Sequence, residues 1–228
     1  MQKLIILGDS ILKGVTYDSE AERYKLYGST LEKRLEPKNV GIRRFCRMGA
    51  TIRDGKERLA AVIAGGGDFC GTRLLLEFGG NDCDHDWARI AEEPDKPHFP
   101  KTPLPLYLSL CEETITLARQ HGIDVTVATL VPIHAESYFS FISRGRSREG
   151  ILRWLGDISM LYRWHESYNN ALVLLAEKLN CPLLDLRTPF LCSHAFPTLL
   201  SADGIHPSIC GHHLIEDTLV STFGASGK

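Results

Sequence analysis

Residues 3–10 read Lys3-Leu4-Ile5-Ile6-Leu7-Gly8-Asp9-Ser10. A short run of leucine and isoleucine cut off by a glycine is the form a strand takes when helices cover both of its faces, because neither face meets water. Four further runs share that form. They are about Gly41–Arg47, then Arg73–Phe78 stopped by Gly79 and Gly80, Asp124 to Leu130 stopped by Pro132, and Pro182–Leu186 after a helix ending near Asn180.

Helical spacing fills most of the gaps. Asp54–Ile63 and Tyr107–Gln120 are amphipathic. Tyr162–Leu179 puts Tyr168, Leu172, Leu175 and Leu179 on one helix face. Ser208 to Val220 makes a last helix with Ser208 as its cap. Strands alternating with helices predict an α/β fold with a parallel sheet covered on both sides. The expected form is flavodoxin-like: a three-layer α/β/α sandwich with a five-stranded parallel sheet in the order 2-1-3-4-5, the order resting on fold analogy. The 228 residues fit one domain over 1–228.

Two stretches break the rhythm. Residues 83–105 carry five prolines, and 133–156 carry Tyr138, Phe139, Phe141, Trp154 and arginines 144, 146, 148 and 153 without a strand or helix period. Both follow carboxyl ends of predicted strands, where doubly wound sheets bind ligands, so both are expected as loop insertions over the site edge.

Composition narrows the partners. Charge is balanced, with 26 basic and 28 acidic residues. No basic stripe interleaved with aromatics suggests nucleic acid. The longest apolar N-terminal run, Leu4–Leu7, is too short for a signal peptide or a spanning helix, so a membrane partner is not expected. Seven scattered cysteines, none in a C-x-x-C pair, read as reduced thiols of a cytoplasmic protein. Oligomeric state stays open, a homo-oligomer included.

Three motifs carry chemistry. Ser10 follows the end of the first strand, so its hydroxyl is expected at the rim of the sheet beside free N–H groups of a helix start. Gly79-Gly80-Asn81-Asp82 ends the third strand at the same edge, and the Asn81 amide is a donor suited to a developing oxyanion. Asp203-Gly204-Ile205-His206-Pro207 places an imidazole and an acceptor for its second nitrogen in one loop before the last helix. Each alone is better read as an ordinary turn or cap. Their order and common placement at strand ends favour a serine hydrolase.

Taken together, Gly8-Asp9-Ser10, Gly49, Asn81 within Gly80-x-Asp82, and Asp203-x-x-His206 resemble the SGNH (GDSL) hydrolases over nearly the whole chain. The resemblance implies Ser10 as nucleophile, His206 as base and Asp203 as its orienting carboxylate. It implies an oxyanion hole formed by the N–H groups of Ser10 and Gly49 with the Asn81 side chain. Asp9 matches the residue before the serine. Ile11 stands where the family has leucine, and Arg47-Met48 precede Gly49 where the family often has an asparagine two residues earlier. Neither Gly41 nor Gly55 follows the second strand's end so directly.

Other residues are weighed lower. His85, between Asp84 and Asp86, and His212-His213 have no metal-ligand spacing, and read as exposed polar residues on a loop and a helix face. The four arginines read as a solvated loop by default, or as a clamp for a carboxylate or phosphate. Asp9, Tyr138, Phe139 and Trp154 are candidate substrate contacts, the aromatic insertion covering either a substrate or a partner subunit. The expected activity is hydrolysis of a small-molecule carboxylic ester with a short acyl group, such as acetyl on a carbohydrate, with no metal and no cofactor. The alternatives are a non-catalytic sugar- or acyl-binding module, and a thioesterase or lysophospholipase.

Overall fold

The computed structural model describes residues 2–224. At its centre lies a five-stranded, wholly parallel sheet of β1 (Gln2–Gly8), β4 (Val40–Cys46), β5 (Thr72–Glu77), β6 (Asp124–Ala128) and β7 (Leu183–Leu184). Its spatial order is β4-β1-β5-β6-β7. Counted among the sheet strands alone, that is 2-1-3-4-5. The whole-chain numbering differs because an antiparallel hairpin, β2 (Val15–Asp18) and β3 (Arg23–Leu26), intervenes outside the sheet.

The parity of the central strands explains the layers. Successive strand residues point to opposite faces, and in β1 all four of Leu4 to Leu7 are buried. Ile5 and Leu7 pack with Leu74, Leu76, Val125 and Val127 on one face. That face is covered by α3 (Ile52–Ala64), α5 (Leu104–Gln120) and α8 (Ser159–Lys178), through Leu59, Tyr107, Ile115 and Leu172 among others. Leu4 and Ile6 join Leu75 and Ala128 on the other face. There they meet α2 (Leu31–Leu35), α9 (Arg187–Leu191) and α10 (Ile209–Phe223) through Leu35, Phe190, Ile215 and Phe223.

Register brings the site loops to one edge. Gly8 pairs with Cys46 on one side and Glu77 on the other. All three chains therefore leave the sheet side by side, carrying Asp9-Ser10, Arg47–Gly49 and Phe78–Asn81. A third apolar cluster lies apart from the two sheet faces and joins Trp87 and Ile90 to Ile133, Tyr138, Phe139, Ile151 and Leu161.

The stretch 133–156 is not an irregular loop. It forms α6 (Ala135–Ile142) and α7 (Arg148–Leu155), each opened by a side-chain cap, from His134 and from Ser147. Residues 83–105 contain α4 (Trp87–Glu92), capped by Asp86. The helical period of 133–156 is masked because the two apolar stripes are short and Gly145, in left-handed backbone at φ +66°, separates them. The fifth strand is shorter than Pro182–Leu186. Pro182 has no N–H, and the Leu186 N–H turns aside to Thr129 Oγ1 at 2.9 Å. No helix among the described residues is long and apolar enough to cross a membrane. All seven cysteines are free thiols.

Candidate active site

Ser10 is the first residue of α1 (Ser10–Lys13), and Asp9 caps that turn by accepting the Ile11 N–H at 2.8 Å. The cap fixes the backbone that carries the serine, which is 6% exposed. Across the edge, the loop before α10 brings in Asp203 and His206. Asp203 is fully buried and accepts the N–H groups of Ile205 and His206 on Oδ1, at 3.2 and 3.1 Å. Its Oδ2 lies 2.6 Å from His206 Nδ1, and His206 Nε2 lies 2.9 Å from Ser10 Oγ. An ionised carboxylate only accepts, so Nδ1 carries the proton and Nε2 presents its lone pair to the serine hydroxyl.

The Asp203–His206 loop is clamped from three sides. Gly204, at φ +77°, gives its carbonyl to the His134 N–H at 2.8 Å, and a Cβ there would sit 2.5 Å from Tyr138 N. The Ser201 N–H donates to His206 O at 2.7 Å, and Ser201 Oγ bonds Thr16 Oγ1 at 2.8 Å. Tyr24 on the hairpin sets its ring edge-on to the imidazole, centroids 5.0 Å apart.

Asn81 lies beside Ser10 and is held by two bonds. Its Nδ2 donates to Asp9 Oδ2 and to Ala50 O, each at 3.0 Å. Both amide hydrogens thus have protein acceptors, and donation to a substrate oxygen requires one of them to be shared. Gly49, at φ +75°, borders an open cleft together with Met48, Tyr24, Ser10, Asn81 and His206. Gly41 instead pairs with Lys3 at the far end of the sheet, and Gly55 packs in α3 against Phe78.

Three buried carboxyl groups underlie the edge. Asp9 accepts from Asn81, while burial pushes its pKa up to about 6. Glu77 Oε2 accepts the Asp9 N–H at 3.4 Å, and burial beside Asp9 raises its pKa well above the usual range. Asp82 accepts the Ile52 N–H at the start of α3 with both oxygens, at 3.2 and 3.1 Å, and burial raises it to about 6. Sequence reasoning passed over Glu77. Its signal was a single carboxylate ending an otherwise apolar strand.

The candidate substrate contacts separate. Tyr138 and Trp154 line a partly enclosed cavity that reaches Ser10, Asn81 and His206. Asp9 borders it too, although its oxygens serve Ile11 and Asn81. Phe139 does not reach the site. It is fully buried within the third cluster, with the Arg148 guanidinium 4.3 Å over its ring, because the helix α6 turns Tyr138 and Phe139 to different neighbours. Of the arginines, Arg153 pairs with Asp95 at 2.8 Å and Arg144 bonds Tyr17 at 3.1 Å, while Arg146 borders the open cleft that also holds Ser10 and His206. His85 is not exposed as expected. It is buried among tryptophans and lines the cavity. His212 is also buried, bonded to Val15 O at 2.9 Å and stacked on Tyr27.

The profile of the GDSL-like lipase/acylhydrolase family matches residues 6–214, from β1 through the Asp203–His206 loop into α10. The chain belongs to this family. It is a hydrolase of the lipase/acylhydrolase kind, and solved structures agree on its fold. A lipolytic protein of the G-D-S-L family from Veillonella parvula superposes with a TM-score of 0.68 at 15% identity, covering 99% of this chain and 100% of that one. A catalytic mutant of an acetylxylan esterase from Geobacillus stearothermophilus gives 0.65 at 20% identity, covering 99% and 95%. An alpha/beta hydrolase from the metagenome of Lake Arreo, Spain, gives 0.65 at 19%, covering 100% and 97%. A search of curated proteins finds no match.

Proposed function

We propose that this GDSL hydrolase is a serine esterase acting on a small-molecule carboxylic ester with a compact acyl group. The relay from Asp203 through His206 to Ser10 carries the reading, at 2.6 and 2.9 Å in a buried corner open to a cleft. His206 Nε2 takes the Ser10 proton as Oγ attacks the carbonyl carbon, then returns it to the leaving alcohol as the tetrahedral intermediate collapses. An acyl group remains on Ser10. Water, deprotonated by the same nitrogen, attacks that ester, and the acid leaves as Ser10 recovers its proton.

Asp203 holds the imidazole in the tautomer this requires and offsets the charge of the imidazolium. The N–H groups of Ser10 and Gly49 and the Asn81 amide are the donors for the oxyanion. With both Asn81 hydrogens already engaged, that donor is held in place before substrate arrives. The acetylxylan esterase among the similar structures supports an ester as the bond cleaved. An intact relay disfavours a binding module without turnover.

A fluorophosphonate probe is expected to label wild type on Ser10, and Ser10→Ala to lose both label and hydrolysis of p-nitrophenyl butyrate while keeping its fold. Activity surviving in Ser10→Ala refutes the assignment.

A further inference from the structure

Glu77 is out of place in its strand. Leu74, Leu75 and Leu76 precede it and Phe78 follows, all buried, and Glu77 is itself only 2% exposed. A leucine there would continue the apolar core, so the carboxyl group carries a desolvation penalty that the fold alone does not require. It lies beside the nucleophile. Glu77 pairs with Gly8 of the Gly8-Asp9-Ser10 turn, and a Cβ at Gly8 would lie 3.1 Å from Glu77 Oε2. The carboxyl group thus uses space that the glycine leaves.

The available donors decide where charge can sit. Asp9, Glu77 and Asp82 are all buried, and among the described residues no lysine, arginine or histidine forms an ion pair with any of them. His206, the titratable ring that faces Asp9, is paired with Asp203 instead. Asp82 accepts from Ile52 and Thr102. Asp9 has a good donor on each oxygen, the Ile11 N–H at 2.8 Å and the Asn81 amide at 3.0 Å. Glu77 has the Asp9 N–H alone, at 3.4 Å.

The carboxyl groups of Asp9 and Glu77 also reach each other. Two buried carboxylates in contact, without a cation, do not both stay ionised. The proton belongs on Glu77, the acid with the poorer set of donors. Burial raises both groups, and the neighbouring Asp9 raises Glu77 again. A protonated carboxyl group is a donor, and the acceptor it faces is the Asp9 carboxylate.

Asp9 is then held by Ile11, Asn81 and Glu77 together, and with Ala50 O it takes both amide hydrogens of Asn81. The orientation of that amide is set by an acceptor whose own position Glu77 secures. Without the bond from Glu77, the Asp9 carboxylate would be a stronger acceptor. It would grip the amide harder and leave more negative charge beside the forming oxyanion.

We propose that Glu77 is a positioning residue for the reaction: its protonated carboxyl group donates to Asp9, and through Asp9 it sets the Asn81 amide for the oxyanion. The inference rests on the esterase reading and extends its oxyanion hole inward to the sheet. The test uses Glu77→Leu and Glu77→Gln, with Asn81→Ala as a second site and p-nitrophenyl butyrate as substrate. Glu77→Leu removes a buried acid and is expected to melt no lower than wild type, yet to lower kcat about tenfold or more with KM little changed. Glu77→Gln keeps a neutral donor and is expected to hold kcat within about threefold. In the Asn81→Ala background, Glu77→Leu is expected to lower kcat by no more than about threefold, since the amide it acts through is gone. Infrared spectra at neutral pH are expected to show a protonated-carboxyl band in wild type that Glu77→Gln lacks.

An unchanged kcat in Glu77→Leu overturns the inference. So does Glu77→Gln falling as far as Glu77→Leu, and so does a full, independent loss in the Asn81→Ala background. Should Glu77→Leu fail to fold, the infrared comparison decides: a band common to wild type and Glu77→Gln, or absent from both, refutes a protonated Glu77. Wild type without turnover or Ser10 labelling overturns the esterase reading instead, a result distinct from any of these.

Discussion

Asp82→Asn tests how burial and helix position compete under the active-site loops. Asp82 receives the Ile52 N–H at the start of α3, where the positive end of the helix favours a carboxylate. Burial opposes it and wins, lifting the group from 3.8 to about 6. A shift of about two pH units corresponds to roughly 3 kcal/mol, at 1.36 kcal/mol per unit. The folded state then binds more protons than the unfolded one between about pH 4 and 6, so this group makes stability fall as pH rises through that window.

Asparagine keeps an acceptor for Ile52 and never ionises. Near pH 4, where Asp82 is largely protonated in the fold, variant and wild type are expected to differ little. By pH 8 the variant is expected to gain up to ~3 kcal/mol, about 6–12 °C in Tm for a chain of this size. Thermal melts at pH 4, 5, 6, 7 and 8 measure the difference. A gap that does not change with pH, or a variant that weakens relative to wild type as pH rises, refutes the reasoning and means that the helix start holds Asp82 ionised.

Gly204→Ala forces a Cβ to within 2.5 Å of Tyr138 N at φ +77°. Strain and overpacking together predict a loss of about 2–5 kcal/mol in urea unfolding, and a loss under 1 kcal/mol would show that the loop yields freely. Asp203→Asn keeps the shape but frees the imidazole to adopt the other tautomer, so kcat on p-nitrophenyl butyrate should drop on the order of 10²–10⁴-fold; an unchanged kcat removes Asp203 from the relay. Asn81→Ala should lower kcat about 10²-fold if its amide donates to the oxyanion, with KM little changed; a rise in KM alone would assign it to ground-state binding. Tyr138→Phe deletes a hydroxyl bonded to Asp84 Oδ1 at 2.5 Å and to Trp87 Nε1 at 3.0 Å. It is expected to cost about 1–3 kcal/mol of stability, and a neutral result would show that water replaces the hydroxyl.

By itself the sequence determined the sheet and the relay. Leu4 to Leu7 had to be buried on both faces, and a β-strand's period of two then divides them between two cores without further information. Asp203 and His206 lie three residues apart, so their bond is local, and Ser10 is placed by the strand that ends at Gly8. What the sequence could not carry is burial decided by distant chain. His85 sits between two aspartates and reads as exposed. Only the packing of Trp154 on α7 and Trp164 on α8 encloses it. Phe139 and Tyr138 are neighbours in sequence, yet the roughly 100° step between successive helix residues keeps the first wholly inside the third cluster and brings the second to the cavity as well. The hairpin at Val15–Leu26 and the two helices of 133–156 were illegible for a related reason: each is too short to show its own period, and each is held by partners far along the chain.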